Sequence, residues 1–377
     1  MKEDTRLIHS KGAVDPHTGA LSVPIYQVST FHQEDMENSR YQYSRSGNPT
    51  REVLEDTIAE LERGCGGFAY ASGMAAISSV LLMFSPGDHL IAPRDIYGGT
   101  HRLLTSILSR FRIETTLVDM TDLDQVRQAV KSSTRAIWLE TPSNPLLKIT
   151  DIPGVVEIAQ DRRLLTIIDN TFMTPYYQRP LDLGVDIVVH SATKFLAGHS
   201  DVIAGLAVAR NEQLAKKIGF LQNALGSILG PQDSWLVLRG IRTLGVRMER
   251  QQQAAQKVAE WLAGSAAVEA VYYPGLPDHP GKAVHDRQSS GAGAVLSFRL
   301  PDEAAARRLM DRVRLMAVAV SLGGVESILS YPKVMSHGAV PEEERLAMGI
   351  SGGLVRLSVG LEDADDLIQD LEQALKG

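Results

Sequence analysis

The sequence predicts an α/β protein with a mostly parallel sheet flanked by helices, followed by a smaller α+β C-terminal domain. Between residues 49 and 209, short apolar runs alternate with amphipathic segments of helical spacing, which is typical of right-handed crossover connections between parallel strands. Beyond about residue 245 this alternation is lost. At 377 residues the chain is also too long for one ordinary hydrophobic core, so two domains are expected.

The first helix illustrates how the elements are recognised. It begins at Asn48-Pro49, carries apolar residues at helical spacing and ends at Gly64. The helices predicted in the same way are 74–84, 98–111, 123–132 and 152–162. The strands predicted between them are 67–73, which ends in a turn, 89–93, 113–119, 135–140, 164–169, 185–191 and 202–209.

The remaining elements define the predicted domains. A long, broken helix at 235–264 leads into the second domain, whose further elements are 294–300 and 354–360 as strands and 302–315 and 363–376 as helices. We therefore expect an N-terminal arm (1–48) that contacts a neighbouring subunit, a large α/β domain (49–245) and a C-terminal α+β domain (246–377).

Composition excludes several classes of function. The net charge is -7 and no run of Lys and Arg is present, which argues against nucleic acid as a partner. No apolar stretch approaches the roughly 20 residues of a membrane helix. Cys65 is the single cysteine and no secretory signal is visible in the first residues, so a cytoplasmic location is expected.

Lys194 and Asp169 carry the main chemical prediction. Asp169 ends an apolar strand, and Lys194 lies in "HSATKFLAGHSD" just after another, at the edge where parallel strands bind ligands. A buried carboxylate is costly unless it meets a cation or hydrogen bonds. The protonated ring nitrogen of pyridoxal phosphate would be such a cation, and an amine would form the Schiff base. Taken alone, Asp169 would be interpreted as a turn or capping carboxylate and Lys194 as a surface loop lysine.

A phosphate site is predicted near the same edge. Ser72-Gly73-Met74 lies between a strand and a helix, where first-turn N–H groups bind anions, and Ser191 and Thr193 would add hydroxyl groups. The alternative for Gly73 is an ordinary helix cap.

Tyr43 and Arg45 stand two residues apart, so in an extended segment they would face the same side. Arginine suits a phosphate, although a solvated loop is the alternative. Tyr97 follows a strand beside two glycines and would stack on a cofactor ring unless it is an ordinary half-buried tyrosine. Arg356 interrupts an apolar strand, where an inward guanidinium would bind a substrate carboxylate and an outward one would be solvated.

The chain resembles the Cys/Met-metabolism group of fold-type I pyridoxal phosphate enzymes, which includes cystathionine γ-lyase, β-lyase and γ-synthase and methionine γ-lyase. The resemblance runs in order from about residue 20 to 363. Its stretches are "VPIYQVSTF", "YSRSGNPTR", "ASGMAAI", "DIYGGT", "ETPSNPLL", "IIDNTFMTPYYQRP", "HSATKFLAGHSD", "GPQDSWLVLRGIRTL", "SLGGVESI" and "VRLSVGLED".

The resemblance implies a role for each matching residue. Lys194 would be the Schiff-base lysine and proton shuttle, and Tyr97 a ring-stacking tyrosine and acid/base. The implied cofactor contacts are Tyr43 and Arg45 from a neighbouring subunit, Gly73, Met74, Ser191 and Thr193 at the phosphate, Asn144 near the phenolic oxygen, and Asp169 at the ring nitrogen. The implied substrate contacts are Ser321 and Arg356 at the carboxylate and Glu326 at a distal amino group. A homotetramer with shared sites is expected.

The favoured reaction is γ-elimination of L-cystathionine to cysteine, 2-oxobutyrate and ammonia. Glu326 favours it, since the resemblance places a glutamate there in γ-lyases and γ-synthases. Tyr97-Gly98-Gly99-Thr100 lacks the cysteine usual in methionine γ-lyases. The alternatives are β-elimination to homocysteine, pyruvate and ammonia, and γ-synthase activity with an O-acylhomoserine and cysteine.

Two other classes of protein remain open at this point. One is a cofactor-binding regulator without catalysis. The other is a nicotinamide oxidoreductase, for which the nearest motif is "GAGAVL" at 291–296, although it opens a predicted strand and lacks a third glycine. His190 and His199 flank the lysine without Cys, Asp or Glu at ligand spacing, so they are expected to be structural and no metal is predicted.

Overall fold

The larger sheet contains seven strands with parallel pairing at its centre. The computed structural model describes residues 1–10, 12, 14–35, 37–338 and 340–376. The strands are β1 (Gly66–Tyr70), β2 (His89–Pro93), β3 (Glu114–Val118), β4 (Thr134–Glu140), β5 (Leu165–Asp169), β6 (Ile187–Ser191) and β7 (Gly205–Ala209), in the order β1-β7-β6-β5-β4-β2-β3. Strand β7 runs antiparallel to both of its neighbours, and the other pairs are parallel.

Both faces of this sheet are buried, which explains why its strands read as continuous apolar runs. Ile168 and Val188 belong to one hydrophobic cluster, and their chain neighbours Ile167 and Val189 belong to a second cluster on the opposite face. The helices of this part are α1 (Glu3–Ile8), α2 (Pro49–Glu62), α3 (Gly73–Leu81), α4 (Gly98–Arg102), α5 (Leu123–Ala129), α6 (Ile152–Arg162), α7 (Thr174–Tyr177), α8 (Glu212–Leu225), α9 (Pro231–Ile241) and α10 (Leu244–Ala263).

The second sheet contains five strands in the order β10-β11-β12-β9-β8. They are β8 (Ala270–Tyr272), β9 (Val295–Arg299), β10 (Ala317–Val318), β11 (Ile328–Ser330) and β12 (Leu354–Ser358), and the helices are α11 (Lys282–Gln288), α12 (Glu303–Arg312), α13 (Glu342–Ala347) and α14 (Ala364–Leu375). Val355 and Leu357 pack into a core with α10, α12 and α14. Because side chains alternate along a strand, Arg356 between them faces the other way.

Several elements differ from the sequence-based prediction. The helix expected at 98–111 is α4, then a π-helical turn at Leu103–Ile107 and a 3-10 turn at Leu108–Phe111. The short helix α1 falls where no helix is predicted, and it is stabilised by burial of Leu7 against the large core. The proposed domain boundaries at residues 48 and 245 stay a prediction.

Among the residues described, no helix is both long and apolar enough to cross a membrane.

Candidate active site

A cavity of about 1250 Å³ lies between the carboxyl ends of the large sheet and the face of the small sheet that carries Arg356. Ligand sites in open α/β sheets are expected at this edge. The cavity brings together most of the predicted site residues. Those that line it are Gly73, Met74, Tyr97, Asn144, Asp169, Ser191, Thr193, Lys194, Ser321 and Arg356.

The Lys194 amine is half-buried and contacts a hydroxyl group in the connection between β10 and β11. Its Nζ donates a hydrogen bond of 2.6 Å to Ser321 Oγ. Burial, together with the nearby charge of Arg356, lowers the pKa of Lys194 to about 8, and Asp169 acts in the opposite direction. A sizeable fraction of the amine is therefore neutral, and nucleophilic, near neutral pH.

The Lys194 backbone is clamped by Gly323, which has a φ of +80°. A Cβ on Gly323 would lie 2.6 Å from Phe195 N and 2.9 Å from Lys194 C. A glycine is required at this position because both the backbone conformation and the close approach exclude a side chain.

Asp169 ends β5 and projects its buried carboxylate into the cavity. Its Oδ1 accepts hydrogen bonds from Thr171 N at 3.0 Å and Thr171 Oγ1 at 2.5 Å. Burial nevertheless raises the pKa of Asp169. A cation bound in the cavity would favour its ionised form. Thr171 is a site residue that the sequence-based prediction missed.

The start of α3 lines the cavity with Ser72, Gly73 and Met74. Ser72 caps the helix by accepting from Ala75 N at 3.1 Å, which leaves the first-turn N–H groups of Gly73 and Met74 oriented toward the helix entrance. A Cβ on Gly73 would lie 2.8 Å from Ser191 Cβ, so glycine allows Ser191 to approach. The Thr193 hydroxyl group is used by the backbone of Ala204. It donates to Ala204 O at 3.2 Å and accepts from Ala204 N at 3.0 Å.

Tyr97 covers the cavity beside Met74. A Cβ on Gly99 would lie 2.5 Å from Tyr97 Cε1 and 2.8 Å from Met74 Sδ, so Gly99 gives the ring room to lie there. Burial raises the pKa of Tyr97. Its backbone N–H donates to Glu140 Oε2 at 2.9 Å. Glu140 also lines the cavity, and the sequence-based prediction gave it no role.

Arg356 is a buried guanidinium directed into the cavity, as the inward alternative requires. One terminal nitrogen donates to Asn144 Oδ1 and the other to Ser321 O, both at 2.8 Å. Its Nε is buried and has no partner among the residues described. Burial lowers the Arg356 pKa to about 10. The group is thus fixed in place with its Nε donor still unused, which suits an incoming carboxylate.

Three predicted residues lie outside this cavity. Tyr43 is 46% exposed, and Arg45 donates to Asn223 O at 2.8 Å. The expected extended segment is in fact a turn, closed by Ser46 N to Tyr43 O at 2.9 Å, although the guanidinium still stacks 5.7 Å from the Tyr43 ring. Glu326 lines a smaller cavity that shares Thr193, Ile203, Val320 and Ser321 with the large one, and it accepts a hydrogen bond from Ser200.

The two histidines beside the lysine make structural contacts. His190 Nε2 lies 2.7 Å from Glu62 Oε1 in the interior, and His199 Nδ1 lies 2.6 Å from Ala197 O. Within the described ranges, no group of three or more His, Cys, Asp or Glu residues is arranged to hold a metal. The "GAGAVL" segment leads into β9 and not into a helix.

Comparison with known proteins places this arrangement in context. A family model described as Cys/Met metabolism PLP-dependent enzyme matches residues 4–376. Cystathionine beta-lyase MetC of Bacillus subtilis is 58% identical over 374 residues, covering 99% of this chain and 96% of that protein.

Two solved structures resemble the whole fold. The cystathionine gamma-lyase of Lactobacillus plantarum, complexed with L-serine, has a TM-score of 0.97 at 50% identity, covering 99% of this chain and 98% of that one. The cystathionine gamma synthase of Xanthomonas oryzae pv. oryzae, in complex with cystathionine, has a TM-score of 0.97 at 43% identity, covering 100% and 98%.

Proposed function

The chain belongs to the Cys/Met metabolism family of PLP-dependent enzymes, and on that premise we propose that it breaks a carbon–sulfur bond of L-cystathionine. Pyridoxal 5'-phosphate is its cofactor, and the fold is that of the fold-type I enzymes. The observation that carries the proposal is the joint placement of Lys194, Asp169 and Arg356 on one cavity.

The site residues fit pyridoxal phosphate. The α3 entrance, kept open by Gly73 against Ser191, offers N–H groups to a phosphate. Asp169, buried with a raised pKa, would hold a protonated ring nitrogen. Asn144 would lie near the phenolic oxygen and Tyr97 over the ring. When bound, the cofactor supplies an electron sink that stabilises negative charge on the substrate Cα.

Lys194 is proposed to be the base of the reaction. With a pKa of about 8, its neutral amine takes the Cα proton, while Ser321 Oγ holds Nζ in position at 2.6 Å. Asp169 would hold the protonated ring nitrogen of the cofactor. For cleavage one carbon further out, a Cβ proton must also be removed, and Lys194 and Tyr97 would share that transfer.

Arg356 is proposed to orient the substrate. Its unused Nε and its terminal nitrogens would bind the α-carboxylate, with Ser321 beside them. Fixing the carboxylate fixes which bond at Cα stands perpendicular to the cofactor ring, and such positioning lowers a barrier by several kcal/mol.

β-Elimination to homocysteine, pyruvate and ammonia is our first candidate for the reaction. The 58% identical relative is named a cystathionine beta-lyase, and this reaction needs one proton removed, not two. γ-Elimination, favoured by the sequence motif around Glu326, is the second candidate. It is supported by the position of Glu326 in a cavity that adjoins the Lys194 site, where a distal ammonium group could bind. γ-Synthase activity is the remaining alternative.

We further propose a homotetramer in the cytoplasm. Tyr43 and Arg45 lie on the surface, away from the cavity of their own chain, as expected if they reach the phosphate of a neighbouring subunit. The free cysteine, Cys65, is compatible with a reducing compartment.

Incubation with L-cystathionine tests the proposal. Purified protein loaded with cofactor should release pyruvate in excess of 2-oxobutyrate, with a thiol as co-product. The control is Lys194→Ala, which should lose both turnover and the absorbance band of the lysine-bound cofactor. Excess 2-oxobutyrate would reverse the order of the two candidates. Absence of both keto acids from a loaded protein would refute the lyase and leave γ-synthase activity or a cofactor-binding regulator.

A further inference from the structure

Glu140 occupies the centre of the active-site edge without a role in the chemistry above. It ends β4 and pairs in register with Asp169 at the end of β5. Both side chains are buried, and both line the large cavity. A second carboxyl group beside Asp169 is unfavourable, because burial and the neighbouring charge both raise the pKa of Glu140 well above its usual range. Because burying this carboxyl group lowers stability, the reason for a glutamate at this position lies in what its side chain contacts.

The two carboxylate oxygens of Glu140 serve two different loops. Oε2 accepts the backbone N–H of Tyr97 at 2.9 Å, and Oε1 accepts the backbone N–H of Asn144 at 3.2 Å. Tyr97 directly precedes α4, 43 residues before Glu140 in the chain, so the two loops meet only in the folded protein. One side chain therefore fixes both loops relative to the sheet.

The second of these hydrogen bonds extends to the substrate side of the cavity. Asn144 Oδ1 accepts from Arg356 at 2.8 Å, so Glu140, Asn144 and Arg356 form one connected chain of contacts. The first hydrogen bond ends at Tyr97, whose ring covers the cavity. A change at Glu140 would thus be felt both at the ring-covering tyrosine and at the carboxylate-binding arginine.

We propose that Glu140 is a positioning residue that holds Tyr97 against the cofactor ring and, through Asn144, Arg356 against the substrate carboxylate. The inference rests on the proposed function for its substrate, although its contact with the ring-covering tyrosine can be tested without any substrate.

Two substitutions distinguish the positioning effect of these hydrogen bonds from a general loss of stability. Glu140→Ala removes both acceptors. Glu140→Gln keeps the size and one acceptor oxygen, so one hydrogen bond can persist. Per bound cofactor, we expect kcat/KM for L-cystathionine to fall about 100-fold in Glu140→Ala, a loss typical of a displaced reacting group. We expect about a tenfold fall in Glu140→Gln. Both a higher KM and a lower kcat should contribute, because Arg356 and Tyr97 are both displaced.

The substrate-free measurement is the circular dichroism of bound pyridoxal phosphate in its own absorbance band, which reports how the ring lies against its neighbours. We expect its band to change in Glu140→Ala and to be partly restored in Glu140→Gln. The control is Asp186→Asn. Asp186 Oδ2 accepts Thr166 N at 2.9 Å and Thr166 Oγ1 at 3.0 Å, at the opposite end of β5 and β6. This control should lower Tm and leave KM and the dichroic band unchanged.

The outcomes are distinct. If the Glu140 variants match the wild type in KM, kcat and dichroic band per bound cofactor, and differ only in Tm as Asp186→Asn does, the inference is overturned. If Glu140→Ala does not fold, Glu140→Gln decides by the same criteria. If the wild type holds cofactor but leaves cystathionine uncleaved, the proposed substrate fails, and the dichroic band still decides the role of Glu140.

Discussion

The Lys194 amine should bind pyridoxal phosphate at pH values where an ordinary lysine is almost fully protonated. Its pKa is about 8, against 10.5 for a free side chain. At pH 7 the neutral fraction is then about 0.1, in place of about 0.0003, which is a gain of roughly 300-fold in reactive amine. Because the neutral amine attacks the cofactor aldehyde, the reloading rate of cofactor-free protein should follow this fraction.

The assay is the growth of the imine absorbance band after mixing cofactor-free protein with pyridoxal phosphate between pH 6 and pH 10. We expect the rate to rise about tenfold per pH unit below pH 8 and to level off above it. A rate that continues to climb to pH 10 would refute the lowered pKa and with it the account of burial around Lys194.

Two substitutions should move the midpoint of this profile in opposite directions. Arg356 lowers the pKa of Lys194, so Arg356→Gln should shift the midpoint to higher pH. Asp169 raises the same pKa, so Asp169→Asn should shift the midpoint to lower pH. The control is Arg307→Gln, which removes an equal charge from a surface ion pair with Glu303 and should leave the midpoint unchanged.

Three further predictions concern substrate, subunit contact and backbone. Arg356→Ala should raise KM for cystathionine about 10- to 100-fold, as expected for loss of a charged hydrogen bond, while dialysis removes no more cofactor than from the wild type. Equal losses of substrate affinity and of bound cofactor would contradict the carboxylate assignment. Arg45→Ala should release cofactor on dialysis and Arg40→Ala, on the same segment, should not; equal retention by both would argue against a phosphate contact from the neighbouring subunit. Gly323→Ala should lower Tm by several degrees more than Gly87→Ala, since both have positive φ but a Cβ on Gly87 meets nothing within 4 Å. Equal shifts in Tm would contradict the inference that Gly323 fixes the Lys194 backbone.

The large sheet was predictable because its strands are buried on both faces. Runs such as 89–93 and 164–169 are mostly apolar and are bounded by turn residues, so strand β2 was predicted at its observed bounds. The short strands β8 and β10 were not predicted, since two or three residues give too little pattern, and their pairing depends on distant partners.

The chemistry was predictable where residue type alone restricts function. An amine and an acid at neighbouring strand ends indicated Lys194 and Asp169, and the cavity contains both. The direction of Arg356 was open from sequence, because the strand pattern fits either face, and the packing of Val355 and Leu357 into the helical core decides it. Glu140 was missed because its importance lies in two backbone N–H groups that sequence does not display.

The hydrogen bond between Lys194 and Ser321 joins the connection after a strand of one sheet to the connection before a strand of the other. The reactive nitrogen therefore also connects the two sheets across the cavity. Gly323, in the same connection as Ser321, packs against the backbone of the same lysine. Because the cofactor aldehyde would use the same nitrogen, cofactor binding would compete with this contact between the two sheets.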